Sequence, residues 1–329
     1  MKRNLTLPKF LKKIRSAVLS DGTFSDTQVD ALLSNPSAAA SHYKRIVIRK
    51  KKGKKRTLHI PSNILKAIHY AIKNELEKYY VSEDFVNGFV KGKNSTHNAF
   101  PHVKSPLILV LDIQDFFNSI RESFLRIQLE KFTGNLRLAK WITKIVVTTK
   151  KFLPQGSPLS PLLSNIVFKP VDKEIYEFCE NQQVTYTRYA DDLTFSFNKN
   201  LTSEERKNFV KQIQQILRKY GFHTNPNKTR FRSAHQPQRV TGIIVNEKLN
   251  VPRKERKLLR HYLYLWETYG YAKAEALFQN QHPKKNLVTF LEGKMAYFTM
   301  ILGEYHDALT KMKIKFKSLK SILQTSENN

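Results

Sequence analysis

Cysteine is nearly missing from this chain of 329 residues. Cys179 stands alone, so an intrachain disulfide is excluded and a thiolate zinc site has at most one ligand. Long apolar runs are missing too: none approaches the roughly 20 residues of a membrane helix, and the polar, lysine-rich start lacks the apolar core of a signal peptide. A soluble, intracellular protein with no membrane partner is expected. Acidic residues are scarce, 27 Asp and Glu against 57 Lys and Arg, which leaves a formal charge of +30. A field of that sign attracts polyanions, and such binding weakens steeply with salt. Basic charge alone does not separate an enzyme from a packaging protein. No internal repeat is visible, and with 40% hydrophobic residues the chain can build a full core of two or three subdomains.

The most informative feature present is Tyr189-Ala190-Asp191-Asp192. Thr185-Tyr186-Thr187-Arg188 precedes it and Leu193-Thr194-Phe195-Ser196-Phe197 follows, two runs of β-branched and aromatic residues that favour strands. A β-hairpin with two carboxylates at its bend is expected. Adjacent acids in a turn usually just face water, so other acids decide the matter. The run Leu107-Ile108-Leu109-Val110-Leu111 ends in Asp112, and a buried strand that ends in a carboxylate is costly unless the charge has a partner. Asp112 and Asp191, with Asp192 near by, would hold two magnesium ions, which in such sites lie about 3.5–4 Å apart. Magnesium suits them as a hard cation bound by few carboxylates plus substrate phosphates. Asp115 is also near, but strand alternation sends it elsewhere.

Between these acids lies Pro154-Gln155-Gly156-Ser157-Pro158, a loop that runs into a helical pattern. Gly156 permits close backbone approach to a ligand, and Pro158 and Pro161 suit a turn or a first helical turn. In order and spacing, Asp112 with Phe117, Pro154-Gln155-Gly156-Ser157 and Tyr189-Ala190-Asp191-Asp192 resemble the palm of reverse transcriptases. Gly221-Phe222-His223-Thr224-Asn225-Pro226-Asn227-Lys228 resembles the family's next motif. Two further elements resemble the retron branch: Asn98-Ala99-Phe100-Pro101-His102 ahead of the first catalytic strand, and Val240-Thr241-Gly242 at the place of the primer grip. The resemblance is clear from about Arg45 to Gly242 and weaker beyond.

The resemblance implies an α+β, right-hand polymerase fold with fingers, a palm of antiparallel sheet plus helices, and a helical thumb. It divides the chain into a helical lead-in over 1–44, fingers and palm over 45–245 and a thumb over 246–329. Asp112, Asp191 and Asp192 become the metal ligands, and Lys228 lies near the incoming triphosphate as an acid towards pyrophosphate. Lys54 and Arg56 would lie over the triphosphate, where Arg56 offers a fork and Lys54 a point charge. Gln155 and Gly156 join them at the deoxynucleotide, and Phe117 becomes a gate beneath its sugar. Asn98, His102, Val240, Thr241, Gly242, Arg253 and Lys254 would contact RNA or primer. His69 stands where the family often carries glutamine, which leaves its role open.

The expected activity is RNA-directed DNA synthesis. For a retron enzyme the template is a structured non-coding RNA, priming uses the 2′-hydroxyl of an internal guanosine, and the product is branched msDNA. The family further implies a bacterial cytoplasmic location, an accessory effector protein and anti-phage defence. The rivals are a group II intron-like enzyme, which usually carries a longer C-terminal region, another defence reverse transcriptase that works without a template, and a catalytically silent RNA-binding scaffold.

Around these anchors, Phe10 to Leu19 reads as a basic amphipathic helix and Ser25-Asp26 as the cap of a short helix through Leu33. Tyr43 to Arg49 and Thr57 to Pro61 read as strands joined by the basic turn Lys50 to Arg56, with helical spacing over 64–72. Helices are expected within 121–150, with Trp141, Ile142, Ile145 and Val146 in the core. Another is expected from Glu204 to Tyr220, packed through Phe209, Ile213, Ile216 and Leu217. Arg253 to Trp266 is basic on one side and apolar on the other, suited to gripping phosphates and 2′-hydroxyls of an A-form helix; the tail beyond Leu323 is expected to fray. The gate assignment has a direct consequence. Phe117→Val is expected to admit ribonucleotides in single-nucleotide incorporation assays, and unchanged sugar selectivity would count against it.

Overall fold

The computed structural model describes residues 5–49 and 55–327. In chain order the elements are α1 (Leu7–Leu19), α2 (Asp26–Ser34), β1 (Tyr43–Arg49), β2 (Lys55–Pro61), α3 (Asn63–Glu77), α4 (Ser95–Ala99), β3 (Leu107–Asp112), α5 (Phe116–Ser119), α6 (Glu122–Thr133), α7 (Leu136–Val146), α8 (Ser160–Glu180), β4 (Thr185–Tyr189), β5 (Asp192–Phe197), α9 (Ser203–Lys219), β6 (Arg230–Ser233), β7 (Arg239–Val240), β8 (Ile243–Ile244), α10 (Arg253–Tyr269), α11 (Tyr271–Gln281), α12 (Leu287–Leu302) and α13 (Asp307–Glu327). This is an α+β fold. Its main sheet has the order β4-β5-β3-β6, and β1-β2 and β7-β8 form separate two-stranded sheets. No described helix is long and apolar enough to cross a membrane.

The chain separates into two compact units. One comprises Met1–Lys93, Leu109–Phe195 and Asn200–Phe231, the other Asn94–Ile108, Ser196–Lys199 and Arg232–Asn329. In the first unit, α1 buries Phe10, Ile14 and Val18, one residue per turn along a single stripe. Phe10 meets Trp141 edge to face at 6.2 Å, and the Trp141 indole donates to the Leu33 carbonyl at 2.9 Å. Ser25 caps α2 in a reciprocal capping box with Gln28. The centre of the unit is α8, whose Leu162, Leu163, Ile166, Val167 and Phe168 are all buried. Phe168 packs edge to face on Phe116 and Phe222, with ring centroids 5.5 and 5.0 Å away. Strand β3 is almost wholly buried, as a strand covered on both faces of its sheet is.

The second unit carries the four C-terminal helices. Tyr262 of α10 stacks edge-on against Phe278 of α11 at 5.1 Å, and Leu291, Met295 and Phe298 of α12 are buried.

Several boundaries differ from the sequence reading. Strand β2 starts at Lys55, so Arg56 lies in the ladder opposite Ile48 rather than in the turn. Helix α9 starts at Ser203, capped by Thr202, and ends at Lys219 rather than running from Glu204 to Tyr220, and Ile216 is only half-buried because Phe209, Ile213 and Leu217 occupy the inward stripe. The tail remains helical to Glu327. Lys54 and the rest of the basic turn Lys50–Lys54 lie outside the described residues. Because Phe10 is 1% exposed against Trp141, Phe10→Ala is expected to cost about 3–5 kcal/mol in urea unfolding. A loss under about 1 kcal/mol would mean that α1 is a loose attachment.

Candidate active site

Strand pairing brings the acids together. Asp112 closes β3, Asp191 sits in the two-residue link between β4 and β5, and Asp192 opens β5, the strand beside β3. Two backbone bonds fix the register beyond the ladder: Ile113 N–H donates to the Asp191 carbonyl at 2.9 Å, and Asn225 N–H to the Asp112 carbonyl at 2.8 Å. Ala190 takes a left-handed φ of 58°, which lets the link turn within two residues. Asp112 is 4% exposed. Burial lifts the Asp191 carboxyl above the usual range, with the Asp112 charge adding to it. Burial, then the charges of Asp191 and Asp112, push Asp192 up to about 6. Asp191 and Asp192, whose charged forms burial and neighbouring charge disfavour, lie beside Asp112 where a cation would relieve them.

Lys228 supplies one such cation. Its Nζ lies 2.5 Å from Asp112 Oδ2, and Asn225 Nδ2 donates to Asp112 Oδ1 at 3.4 Å. Burial alone would lower the lysine pKa; the hydrogen bond to Asp112 and the three carboxylate charges outweigh it and raise the value. Among the described residues no three His, Cys, Asp or Glu side chains form a ready-made metal cage. Oxygen-only donors of high charge still fit a hard divalent ion, since magnesium takes few protein carboxylates and completes its shell with water and substrate phosphates.

The glycine loop lies along β2. His59 N–H donates to the Gln155 carbonyl at 2.8 Å, and Gly156, at φ 123°, would bring a Cβ within 2.8 Å of the His59 carbonyl oxygen. Only glycine allows that approach. Arg56 Nε donates to Gln155 Oε1 at 2.8 Å, so two residues predicted at the nucleotide meet. Buried His69 braces the loop: its Nε2–H donates to the Ile145 carbonyl at 3.1 Å, which leaves Nδ1 to accept from the Ser157 hydroxyl at 2.9 Å. Burial pushes this imidazole down to about 4, partly opposed by the bond to Ile145. Phe117 is half-buried in α5, and Asp115 is exposed at φ 47° before it.

A buried ion pair holds the acidic turn. Arg188, fully buried, donates from Nε and Nη2 to Asp172 at 2.8 and 2.6 Å, and from Nη1 to Asn165 Oδ1 at 3.0 Å and the Ala190 carbonyl at 3.2 Å. The Tyr186 hydroxyl donates to Asp172 at 2.8 Å. Asn165 Nδ2 in turn donates to the Gly88 carbonyl at 3.0 Å. A Cβ on Gly88 would come within 2.2 Å of the Ala190 nitrogen.

The family described as "Reverse transcriptase (RNA-dependent DNA polymerase)" matches residues 48–245, which span all of these elements from β2 to Lys228. The chain belongs to the reverse transcriptase family. It is 28% identical over 298 residues to the retron Mx65 reverse transcriptase of Myxococcus xanthus, covering 85% of this chain and 66% of that one. To retron Mx162 reverse transcriptase of the same organism it is 31% identical, covering 63% and 48%. To retron Ec86 reverse transcriptase of Escherichia coli it is 33% identical, covering 66% and 68%. The matches thus span from about half to about two thirds of these relatives' length. Within the family the chain stands with the retron reverse transcriptases, and its α+β architecture is the family's right-hand polymerase fold.

The two retron-like elements of this reverse transcriptase meet in the second unit. Val240 is buried in β7, and Thr241 and Gly242, at φ 48° and 87°, make the two-residue turn into β8. Positive φ at both positions is what a type I′ hairpin requires. The Thr241 hydroxyl donates to the Ser95 carbonyl at 3.2 Å, in the first turn of α4. Asn98 and His102 are both fully buried. His102 Nδ1 lies 2.8 Å from the Ser196 hydroxyl, and burial pushes the imidazole down to about 3. Arg253 and Lys254 are exposed in the first turn of α10.

Sequence reasoning missed the supports. Arg188 reads only as the end of a strand-forming run, and nothing in the sequence pairs it with Asp172; the one available signal is the isolated Gly88 in Asn87-Gly88-Phe89. Asp172→Asn leaves a buried guanidinium short of its counter-charge. It is expected to cost about 3–5 kcal/mol in chemical denaturation, most of it recovered in an Arg188→Met, Asp172→Leu double variant. An Asp172→Asn protein as stable as the parent would contradict this.

Proposed function

We propose that this chain is the RNA-directed DNA polymerase of a retron, which copies part of a structured non-coding RNA into DNA. The observation that carries the reading is the convergence of Asp112, Asp191 and Asp192 on neighbouring strand ends with Lys228 bonded to the first of them. Asp112 and Asp191, with Asp192 near by, would hold two magnesium ions. When bound, such ions activate an attacking hydroxyl and steady a leaving pyrophosphate. The protein's own part is positioning and electrostatics. Lys228, with its raised pKa, remains protonated at neutral pH and offers a proton to the departing pyrophosphate. Arg56, carried on a strand and bonded to Gln155, presents a fork for triphosphate oxygens, with Lys54 as a second charge. Gly156 lets the loop backbone lie close. Phe117 stands under the sugar, where a ribose 2′-hydroxyl would collide.

Buried Asn98, His102 and Val240 would support from beneath the surface that Thr241 and Gly242 offer to RNA and primer, rather than contact the RNA themselves, and Arg253 and Lys254 would meet backbone phosphates. As a retron enzyme the protein would prime from the 2′-hydroxyl of an internal guanosine, give branched msDNA, work in a bacterial cytoplasm and act with an accessory effector in defence against phage.

The test is expression of the gene with its native upstream flank, beside an Asp191→Asn, Asp192→Asn form. A discrete single-stranded DNA linked 2′–5′ to RNA, sensitive to debranching and missing from the variant, is the expected outcome. If no such DNA forms while the purified protein still extends a primer on RNA, the retron part of the reading fails and the polymerase part stands.

A further inference from the structure

Phe89 holds a backbone conformation that phenylalanine rarely adopts. Its φ is 61°, a region where glycine or asparagine is at home and a bulky side chain is an outlier. Such a residue persists only where its surroundings over-determine it, and outliers of this kind gather at functional sites. The surroundings here are specific. Asn87 and Gly88 donate their N–H groups to the Arg188 carbonyl at 2.9 and 3.4 Å, and the Gly88 carbonyl accepts from Asn165 at 3.0 Å. Gly88 has no space above it for a Cβ, because Ala190 fills it. The backbone that leads into Phe89 is therefore keyed to the turn that carries Asp191 and Asp192.

The ring so presented is 41% exposed and lies 6.2 Å from the Phe117 ring, tilted at 45°. Phe117 also touches Phe116 at 5.4 Å, and Phe116 is buried against Phe168 and Phe222. Phe117 is thus bounded by a ring of the immobile core and by Phe89. What the ring supplies is a second wall for Phe117.

We propose that Phe89 is a positioning residue for sugar selection, which fixes the Phe117 ring in the orientation that excludes a ribose 2′-hydroxyl. The proposal rests on the reading of Phe117 as the gate. By it, selectivity is set by a pair of rings, one from α5 and one from a loop locked to the catalytic turn, so the gate and the acids share one frame.

The experiment measures kcat/KM for a deoxynucleotide and its matched ribonucleotide in single-nucleotide extension on an RNA template. It compares the parent protein with Phe89→Gly, Phe89→Tyr, Phe117→Val and the Phe89→Gly, Phe117→Val double variant. Glycine accepts φ 61° without strain, so Phe89→Gly keeps or raises the melting temperature. Its deoxy-to-ribo selectivity falls about three- to tenfold, the range an aromatic pair supports. Phe89→Tyr retains the parent ratio, and Phe89→Gly adds no further loss to Phe117→Val. Unchanged selectivity in Phe89→Gly beside a collapse in Phe117→Val overturns the role of Phe89 and leaves the gate standing. Unchanged selectivity in Phe117→Val overturns both.

Discussion

Mutual repulsion among Asp112, Asp191 and Asp192 is the constraint around which the first unit is organised. Burial and neighbouring charge lift both members of the Asp191-Asp192 pair, so the fold brings together groups that would separate if the chain allowed it. It does not allow it, because each carboxylate is fixed by backbone. Asp112 is the last residue of a buried strand, Asp191 lies in the link between two hydrogen-bonded strands and Asp192 opens the second of them. Lys228 offsets part of the repulsion from one side. Under the proposed function the remainder would favour a divalent cation and a triphosphate at a site held ready in advance.

Holding that turn in place needs a rigid support that does not neutralise it. Arg188 meets the need because Asp172 satisfies its charge through Nε and Nη2, while Nη1 is left for Asn165 and the Ala190 carbonyl. The cation grips the turn through a neutral carbonyl and spends its charge on a carboxylate elsewhere. Such a pair is not justified by stability alone, since an apolar replacement of both partners often does as well. Its value lies in direction: the planar guanidinium joins α8, the turn and, through Asn165, the Gly88 loop. His69 performs the same office for the glycine loop with neutral groups: its depressed pKa keeps the ring neutral, and donation to the Ile145 carbonyl sets the tautomer that accepts from Ser157.

Motifs that are contiguous in sequence were legible before the fold was known. The apolar run ending in Asp112, the hairpin around Asp191-Asp192, the glycine loop and the α1 and α2 patterns carry local signals that strand pairing and caps obey. Supports built from distant residues were not legible. Arg188 and Asp172 lie on a strand and a helix, and neither spacing nor periodicity says that they meet. The conflict at Gly88 arises only when Ala190 is beside it. Arg56 was read as a turn residue because basic composition runs on from Lys50, but ladder hydrogen bonds carry β2 back to Lys55. The tail beyond Leu323 looked polar enough to fray, yet Leu309, Met312 and Phe316 bury one face of α13 and helix propensity carries it on. The Val240-Thr241-Gly242 element became intelligible as a tight turn bonded to the first turn of α4, a pairing that separation along the chain conceals.

Of the three acids, Asp112 is the one that is both buried and bonded to Lys228. Primer extension on an RNA template, with magnesium and deoxynucleotides at saturation, should be compared between the purified parent and Asp112→Asn, with binding of the primed RNA measured alongside. If Asp112 holds the metal ions as proposed, binding is retained and extension falls about a hundred- to a thousandfold, the order expected when a group that stabilises charge in the transition state is removed. Extension by Asp112→Asn at the parent rate would contradict that role.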